Sequence, residues 1–187
     1  MIYLAFNKPF NVLSQFKPLD NKATLKDYIQ LPEKPKAVGR LDYDSEGLIL
    51  LSNDEDFIWE ATNPKLGIQK EYYTQVEKIP TETDLDKFKE GIQTQTEYYK
   101  PCKYRIIEEP DFLWERIPPI RVRKSIPTSW ISLIITEGKN RQVRKMTAFI
   151  GFPALRLIRV RIGSIKLDGL MPGEYKKIDP NLIFRNG

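Results

Sequence analysis

The sequence contains no histidine and only one cysteine, Cys102. The absence of histidine excludes a Ser-His-Asp or Cys-His mechanism, and it also excludes a histidine metal site. A single cysteine excludes an internal disulfide and a zinc site built from several thiolates. Acid, base or nucleophilic chemistry in this chain must therefore come from carboxylates, lysine, tyrosine, arginine or that one thiol.

Long apolar runs and a signal peptide are also missing. No stretch of about 18 apolar residues occurs, so the sequence predicts no membrane span and no membrane partner. The first residues, Met-Ile-Tyr-Leu-Ala-Phe-Asn-Lys-Pro, are typical of a strand and lack the regions of a secretory leader. We therefore expect a cytoplasmic protein. No coiled-coil or repeat pattern is present, so we also expect a monomer.

The charge of the chain is unevenly distributed. Residues 1–100 carry 13 Lys and Arg against 17 Asp and Glu, whereas residues 101–187 carry 17 against 8. The segment 116–161 holds eleven basic residues and one acid. An ordinary solvated basic face would explain this pattern, but the size of the asymmetry favours a polyanionic partner, most simply a nucleic acid.

The hydrophobic pattern predicts many strands and few helices, without a regular βαβ order. With 187 residues, the chain is long enough for one domain or two joined lobes. This combination is typical of an α+β fold with a mostly antiparallel sheet. The segment 109–127, which is rich in proline and arginine, is predicted to be a long loop. We expect strands at 2–6, 37–41, 47–51, 69–78, 102–108, 129–136, 154–162 and 173–178, and helices at 54–60, capped by Asn53, at 81–91 and at 139–150.

One cluster of residues that could take part in catalysis extends from Gly39 to Gly47. It contains Arg40 and three carboxylates, Asp42, Asp44 and Glu46. A carboxylate at the junction of a strand and a loop is well placed to act, although turns also select aspartate for local hydrogen bonds. A glycosidase would need two carboxylates on opposite sides of a sugar, and alternate residues of one loop rarely converge in that way. A magnesium site is a further alternative, but no phosphate-binding loop accompanies it.

A second cluster extends from Glu137 to Met146 and carries four cations: Lys139, Arg141, Arg144 and Lys145. They lie near the start of a predicted helix, where the helix dipole prefers anions, so a phosphate or carboxylate would be needed to balance them. A basic, solvent-screened helix face is the alternative. The third cluster, Lys70-Glu71-Tyr72-Tyr73, is ordinary strand sequence when it is considered alone.

Together, the three clusters resemble one family, the RsuA/RluB-type pseudouridine synthases. Gly39-Arg40-Leu41-Asp42, followed by Ser45, Gly47 and Leu48, is similar to the signature loop of the family, and Asn140-Arg141-Gln142-Val143-Arg144 is similar to its C-terminal motif. Three further matches occur in the expected order: Lys8-Pro9, Lys70-Glu71-Tyr72 and Leu157-Ile158-Arg159. The sequence also resembles the E branch of the 23S rRNA pseudouridine synthases, which lacks an N-terminal S4 RNA-binding domain. This resemblance is carried by Pro118 to Arg121, Arg123 to Pro127 and Trp130.

The resemblance implies a single catalytic domain over residues 1–187 with two sub-lobes and no S4 domain. It implies a curved, mixed and mostly antiparallel sheet in two halves, with flanking helices and a central active cleft. The implied reaction breaks the glycosidic bond of a uridine in ribosomal RNA, specifically 23S rRNA, rotates the base and joins its C5 to the ribose. The target nucleotide would be flipped out of its helix. The resemblance implies that no cofactor or metal is needed.

The resemblance also implies roles for individual residues. Asp42 would be the nucleophile or base, Arg144 would keep it ionised, and Tyr72 would lie against the uracil ring and take or give a proton. The residues expected to contact RNA phosphates are Arg40, Lys139 and Arg141 near the site and Arg121, Arg123 and Lys124 in the long loop. Strand arginines Arg156, Arg159 and Arg161 could also follow the RNA backbone, but alternation places Arg156 on the face opposite to the other two, so not all three need touch RNA.

Two alternatives predict different behaviour. A non-catalytic RNA-binding or ribosome-assembly protein would explain the basic half of the chain but not the Gly-Arg-Leu-Asp loop. A glycosidase with a pair of carboxylates would require Asp44 or Glu46 as much as Asp42, and it would leave the basic residues without a role.

Overall fold

The computed structural model describes residues 1–120 and 125–185. Within these ranges the chain forms short helices and many strands. The strands are β1 (Tyr3–Lys8), β2 (Val12–Leu13), β3 (Ala23–Thr24), β4 (Lys36–Val38), β5 (Glu46–Ser52), β6 (Lys70–Glu77), β7 (Ile92–Gln93), β8 (Tyr98–Tyr99), β9 (Lys103–Ile107), β10 (Thr128–Ile135), β11 (Ala154–Ile162), β12 (Ile165–Lys166) and β13 (Tyr175–Lys177). The α-helices are α1 (Glu55–Thr62), α2 (Glu82–Leu85), α3 (Lys87–Glu90) and α4 (Gln142–Phe149), and 3-10 turns occur at Leu25–Asp27, Pro64–Leu66 and Pro180–Phe184.

The chain divides into two compact units. The first unit contains Met1–Ile68 and Ile158–Gly187, and the second contains Gln69–Leu157. The predicted α+β class with mostly antiparallel strand pairing is confirmed. That both units belong to one catalytic domain stays a prediction. None of the helices in the described ranges is long and apolar enough to cross a membrane.

The first unit is organised around β5. This strand pairs antiparallel with β1 and β4, and it pairs parallel with the middle of β11, where Ile158 lies opposite Glu46. Neighbours on both sides explain why the apolar run 47–51 is completely buried. β1 also pairs with β13.

Helix α1 follows β5, and its cap is Asp54, not Asn53 as predicted, because the Asp54 carboxylate accepts hydrogen bonds from the backbone N–H groups of Asp56 and Phe57.

The second unit is organised around β10, which pairs antiparallel with β6 and β9. Thr81 and Asp84 form a capping box at the start of α2, but the single helix predicted for 81–91 is wrong, because the chain breaks at Asp86 into α2 and α3. The helix predicted from residue 139 begins instead at Gln142, because Arg141 adopts a left-handed backbone conformation with φ of 52° that helical residues do not have.

The predicted long loop is confirmed where the structure describes it, since residues 108–120 and 125–127 contain no helix or strand. Its first part is packed against the second unit through aromatic side chains. The ring of Phe112 lies 6.1 Å from that of Tyr73 and 6.2 Å from that of Trp114, measured between centroids. The loop therefore starts from a defined position at the end of β9.

Candidate active site

Asp42 lies in the loop between β4 and β5 of the first unit, where its residue is half-buried. The loop makes a tight turn, because the backbone N–H of Ser45 donates to the Asp42 carbonyl oxygen at 3.1 Å. Leu41, the residue before Asp42, is held by two hydrogen bonds from Ser14. The Ser14 hydroxyl donates to the Leu41 carbonyl oxygen at 2.7 Å and accepts from the Leu41 N–H at 3.1 Å. The backbone that leads into Asp42 is therefore fixed by a side chain from a distant part of the sequence.

Lys8, at the end of β1, is completely buried beneath this loop. Its ammonium donates hydrogen bonds to the carbonyl oxygens of Pro9 at 2.9 Å, Val12 at 2.8 Å and Tyr43 at 3.4 Å. Burial lowers the pKa of Lys8 to about 7, against the opposing effect of Glu46 and the other carboxylates nearby. A lysine of the first strand thus supports the residue that follows Asp42.

Gly47 explains why the signature loop ends in glycine. Its φ is +100°, and a Cβ atom at this position would lie 2.4 Å from the carbonyl oxygen of Arg159 and 2.9 Å from its nitrogen. The backbones of β5 and β11 therefore approach too closely for any side chain. Arg159 adds a hydrogen bond of 2.7 Å from its Nε to the carbonyl oxygen of Leu48.

The three carboxylates of the loop have different environments. Asp42 and Asp44 are half-buried, whereas Glu46 is 1% exposed and lies within β5. Arg40 is exposed on the same loop, directly after the turn made by Gly39 at φ +74°. In the first unit, Arg40 and Asp42 therefore lie on one accessible loop, whereas the Glu46 side chain is buried in the interior.

Tyr72 lies on β6 of the second unit, 7% exposed and opposite Leu133 of β10. Successive side chains on a strand point to opposite faces, so the neighbouring Glu71 is on the other side of the sheet. There its Oε1 accepts hydrogen bonds from the Ser132 hydroxyl at 2.9 Å and from Arg105 Nη2 at 3.0 Å. These contacts satisfy a carboxylate that would be costly to bury alone and fix β6 beside Tyr72.

The second basic cluster is formed by the turn before α4 and the first residues of that helix. Lys139 and Arg141 are exposed, and Arg144 is half-buried, with its Nη1 donating to the carbonyl oxygen of Ala154 at 3.2 Å. The left-handed conformation of Arg141 costs about 1–2 kcal/mol relative to a normal one. The second unit thus places Tyr72 on a strand and Arg144 on a helix, as predicted, whereas Lys139 and Arg141 lie in the turn before that helix.

The three arginines of β11 are not on the surface, and the expectation that they follow an RNA backbone is wrong. Arg156, Arg159 and Arg161 are each 5% exposed or less. Their guanidinium groups donate to buried carbonyl oxygens, Arg156 to Trp114 at 3.0 Å and Arg161 to Gly163 at 2.7 Å. These arginines satisfy backbone groups and hold the strand, which the alternating sequence pattern alone could not distinguish from a basic surface.

Arg121, Arg123 and Lys124, predicted to contact RNA, lie outside the described residues. Over the ranges that are described, no group of three Cys, Asp or Glu side chains is arranged to hold a metal ion.

The chain matches the family described as RNA pseudouridylate synthase over residues 2–149. It belongs to this family. The synthase is 47% identical over 175 residues to ribosomal large subunit pseudouridine synthase E of Vibrio parahaemolyticus, covering 94% of this chain and 73% of the relative. It is 42% identical over 179 residues to the protein of the same name from Xanthomonas campestris, covering 95% of both chains.

The fold of the synthase agrees with this assignment. A crystal structure of a pseudouridylate synthase matches 97% of this chain and 72% of the other, with 28% identity and a TM-score of 0.80. Ribosomal large subunit pseudouridine synthase B of Bacillus subtilis is 31% identical, over 98% of this chain and 70% of its own. The resemblance found in the sequence motifs is therefore confirmed, and the chain is an RNA-modifying enzyme, not a glycosidase or a non-catalytic RNA-binding protein.

The sequence motifs did not reveal Ser14, Ser132 or Arg105. Each of these residues acts through a hydrogen bond to a partner at least 27 positions away, Ser14 to Leu41, Ser132 and Arg105 to Glu71. Serine and arginine at such positions have no local pattern that separates them from surface residues. Their roles become visible only when the strands are paired.

Proposed function

We propose that the synthase isomerises a uridine of 23S rRNA to pseudouridine, with Asp42 as the nucleophile or base. The observation that carries the proposal is the similarity to ribosomal large subunit pseudouridine synthases E, at 47% and 42% identity over nearly the whole chain. The names of these relatives support a substrate in the RNA of the large ribosomal subunit. The same proposal includes a monomeric enzyme that acts in the cytoplasm.

Asp42 is proposed for the first step because a carboxylate can trap or stabilise the positively charged sugar that forms when the bond from N1 to C1′ breaks. The base then rotates, C5 bonds to C1′, and the hydrogen on C5 is lost while N1 gains one. The rigidity of the loop supports this proposal, since Ser14 and Lys8 form hydrogen bonds to the residues directly before and after Asp42. Such preorganisation lowers the cost of reaching the reactive geometry.

Tyr72 and Arg144 are proposed as the other catalytic residues. An aromatic ring beside a flipped base contributes about 1–3 kcal/mol of stacking, which offsets part of the cost of removing the base from its helix. Tyr72 would supply that ring and exchange a proton. Arg144 would keep the Asp42 carboxylate ionised, because a nearby guanidinium favours the charged form.

The RNA backbone is proposed to contact exposed cations on both units. Arg40 on the first unit and Lys139 and Arg141 on the second are all exposed. Arg121, Arg123 and Lys124 of the long loop are included on the basis of their sequence alone. Phosphate contacts of this kind position an RNA without reading its bases, and they weaken as the salt concentration rises.

Tritium release tests the substrate. RNA transcribed with uridine that carries tritium at C5 loses the label only when C5 forms its new bond to the ribose. We expect the synthase to release tritium from unmodified 23S rRNA and not from 16S rRNA, which serves as the control because it has the same charge per nucleotide. Assembled large subunits would be tested alongside free 23S rRNA. Release from 16S rRNA alone would contradict the proposed substrate.

A further inference from the structure

A short hairpin of the second unit contacts the basic segment 137–145 at several points. The hairpin consists of β7 and β8 and is followed by Lys100. Its residue Glu97 accepts a hydrogen bond from the Tyr99 hydroxyl at 2.7 Å. The same carboxylate lies 3.4 Å from the ammonium of Lys145 and 3.9 Å from that of Lys139. One acid of the hairpin therefore faces two cations that flank Arg141 and Arg144.

The ammonium of Lys139 has further contacts with the hairpin. It donates a hydrogen bond of 2.5 Å to the carbonyl oxygen of Tyr98 and lies 5.5 Å above the centre of the Tyr99 ring. The Tyr99 side chain is completely buried, so the ring is a rigid support. A flexible lysine side chain is thereby held in one place before any ligand arrives.

The backbone of the segment is fixed to the same hairpin by two buried side chains. Glu137 Oε1 accepts hydrogen bonds from the backbone N–H of Lys100 at 2.8 Å and from Gln142 Nε2 at 2.7 Å. Gln142 Oε1 in turn accepts from the backbone N–H of Lys139 at 3.1 Å. These bonds enclose the turn in which Arg141 holds its left-handed conformation. The hairpin thus orders both the backbone and the cations of the segment.

We propose that Glu97 is a positioning residue for RNA binding, which fixes Lys139 and Lys145 so that the RNA phosphates meet an ordered set of cations. The inference rests on the proposed function. A carboxylate near RNA has two opposing effects. Its charge repels phosphates, and salt screens this repulsion only in part, because the carboxylate lies 3.4 and 3.9 Å from the ammonium groups that would bind them. Ordering a long side chain in advance improves affinity by about two- to tenfold, and we propose that this gain exceeds the repulsion.

Replacing Glu97 by glutamine separates the two effects because they have opposite signs. Glu97→Gln keeps an oxygen that can accept from Tyr99 but removes both ion pairs. If Glu97 positions the lysines, the KM for rRNA rises about three- to tenfold. The kcat stays within about twofold, because Arg144 has its own anchor at the carbonyl oxygen of Ala154. The Kd from filter binding rises with KM.

Asp86→Asn is the matched control. Asp86 lies between α2 and α3 of the same unit, and it pairs with Lys89 at 2.5 Å and accepts a hydrogen bond from the hydroxyl of Tyr104. Like Glu97→Gln, this variant loses one negative charge and its pairing with lysine and keeps an oxygen that can accept from a tyrosine hydroxyl, but it does so outside the basic segment. We expect its KM and Kd to stay within about twofold of the wild type.

A KM and Kd that fall or stay unchanged in Glu97→Gln would overturn the proposal, since a carboxylate that only competes with RNA for the lysines predicts tighter binding. Thermal unfolding checks that each variant is folded. Tyr99→Phe gives a second test that keeps the charge and the buried ring but removes the hydrogen bond that orients Glu97, and it should raise KM in the same direction. If the wild type itself releases no tritium, the proposed function fails, whereas the Kd comparison still tests Glu97.

Discussion

The ammonium of Lys8 donates a hydrogen bond of 3.4 Å to the backbone carbonyl oxygen of Tyr43, the residue directly after Asp42. The same ammonium bonds to Pro9 and Val12, so it joins the end of β1 to the loop that carries the proposed nucleophile. A buried lysine with three carbonyl partners is held in place more firmly than a surface residue. The position of the loop therefore depends on the protonation and size of one side chain.

Lys8 predicts a specific dependence of stability on pH. Burial lowers its pKa in the folded protein to about 7, whereas an unfolded lysine has a pKa of about 10.4. Between these values the unfolded chain binds more protons, so the free energy of unfolding rises with pH, by up to about 1.4 kcal/mol per pH unit. Below pH 7 the burial penalty is fully present.

Urea unfolding at pH 7, 8 and 9 measures this effect. We expect the free energy of unfolding of the wild type to rise relative to that of Lys8→Met over this range. Lys65→Met, which removes an exposed lysine, is the control and should run parallel to the wild type. Parallel curves for the wild type and Lys8→Met would contradict the assignment of a lowered pKa to Lys8.

Ser14 gives a prediction about activity. Its hydroxyl makes two hydrogen bonds to the backbone of Leu41, each of which stabilises the fold by about 0.5–1.5 kcal/mol. Ser14→Ala should lower stability by about 1–3 kcal/mol and reduce kcat about tenfold or more, because the backbone that carries Asp42 is less well fixed. Ser164→Ala, which removes an exposed hydrogen bond to Arg185, is the control and should leave kcat unchanged.

Gly47 gives a prediction about stability. Gly47→Ala places a Cβ 2.4 Å from the Arg159 carbonyl oxygen at a φ of +100° and should destabilise the fold by about 3 kcal/mol or more. Gly151→Ala has a similar positive φ, +94°, but no described atom lies within 4 Å of its Cβ. It should cost only about 1 kcal/mol. Equal losses in chemical denaturation would show that the close approach of β5 and β11 does not determine this position.

Arg141 gives a prediction in which two variants differ in stability although both weaken RNA binding. Arg141→Gly and Arg141→Ala both remove the side chain, but only glycine accepts a φ of 52° without strain. We expect the glycine variant to be more stable than the alanine variant by about 1 kcal/mol in thermal or urea unfolding. Both should raise the KM for rRNA. A glycine variant that is no more stable than the alanine variant would indicate that the backbone there is unstrained.

Local patterns in the sequence predicted most of the longer elements. The apolar run at 47–51 and the alternation at 129–136 correspond to β5 and β10, because a buried strand has a recognisable hydrophobic pattern. The short strands β2, β3, β7, β8 and β12 were not predicted, since two residues are too few to show a periodicity. The break at Asp86 was missed because a capping box indicates where a helix begins and not where it ends.

The candidate site was predictable where its residues are neighbours in sequence, as in Gly39 to Gly47 and in the turn before α4. The residues that support it were not predictable. Glu97 and Glu71 look like surface acids in the sequence, and their role depends on lysines, serine and arginine that only strand pairing brings near. The arginines of β11 show the reverse case, in which a basic pattern that suggested an RNA surface is buried.

The most direct test of the account compares Asp42→Asn with Asp44→Asn in the tritium-release assay on 23S rRNA. Both variants remove one carboxylate from the same loop and should bind the RNA with similar affinity. We expect Asp42→Asn to lower the rate of tritium release by at least about a thousandfold and Asp44→Asn to retain most of it. Release by Asp42→Asn at a rate close to that of the wild type would contradict the central role given to Asp42.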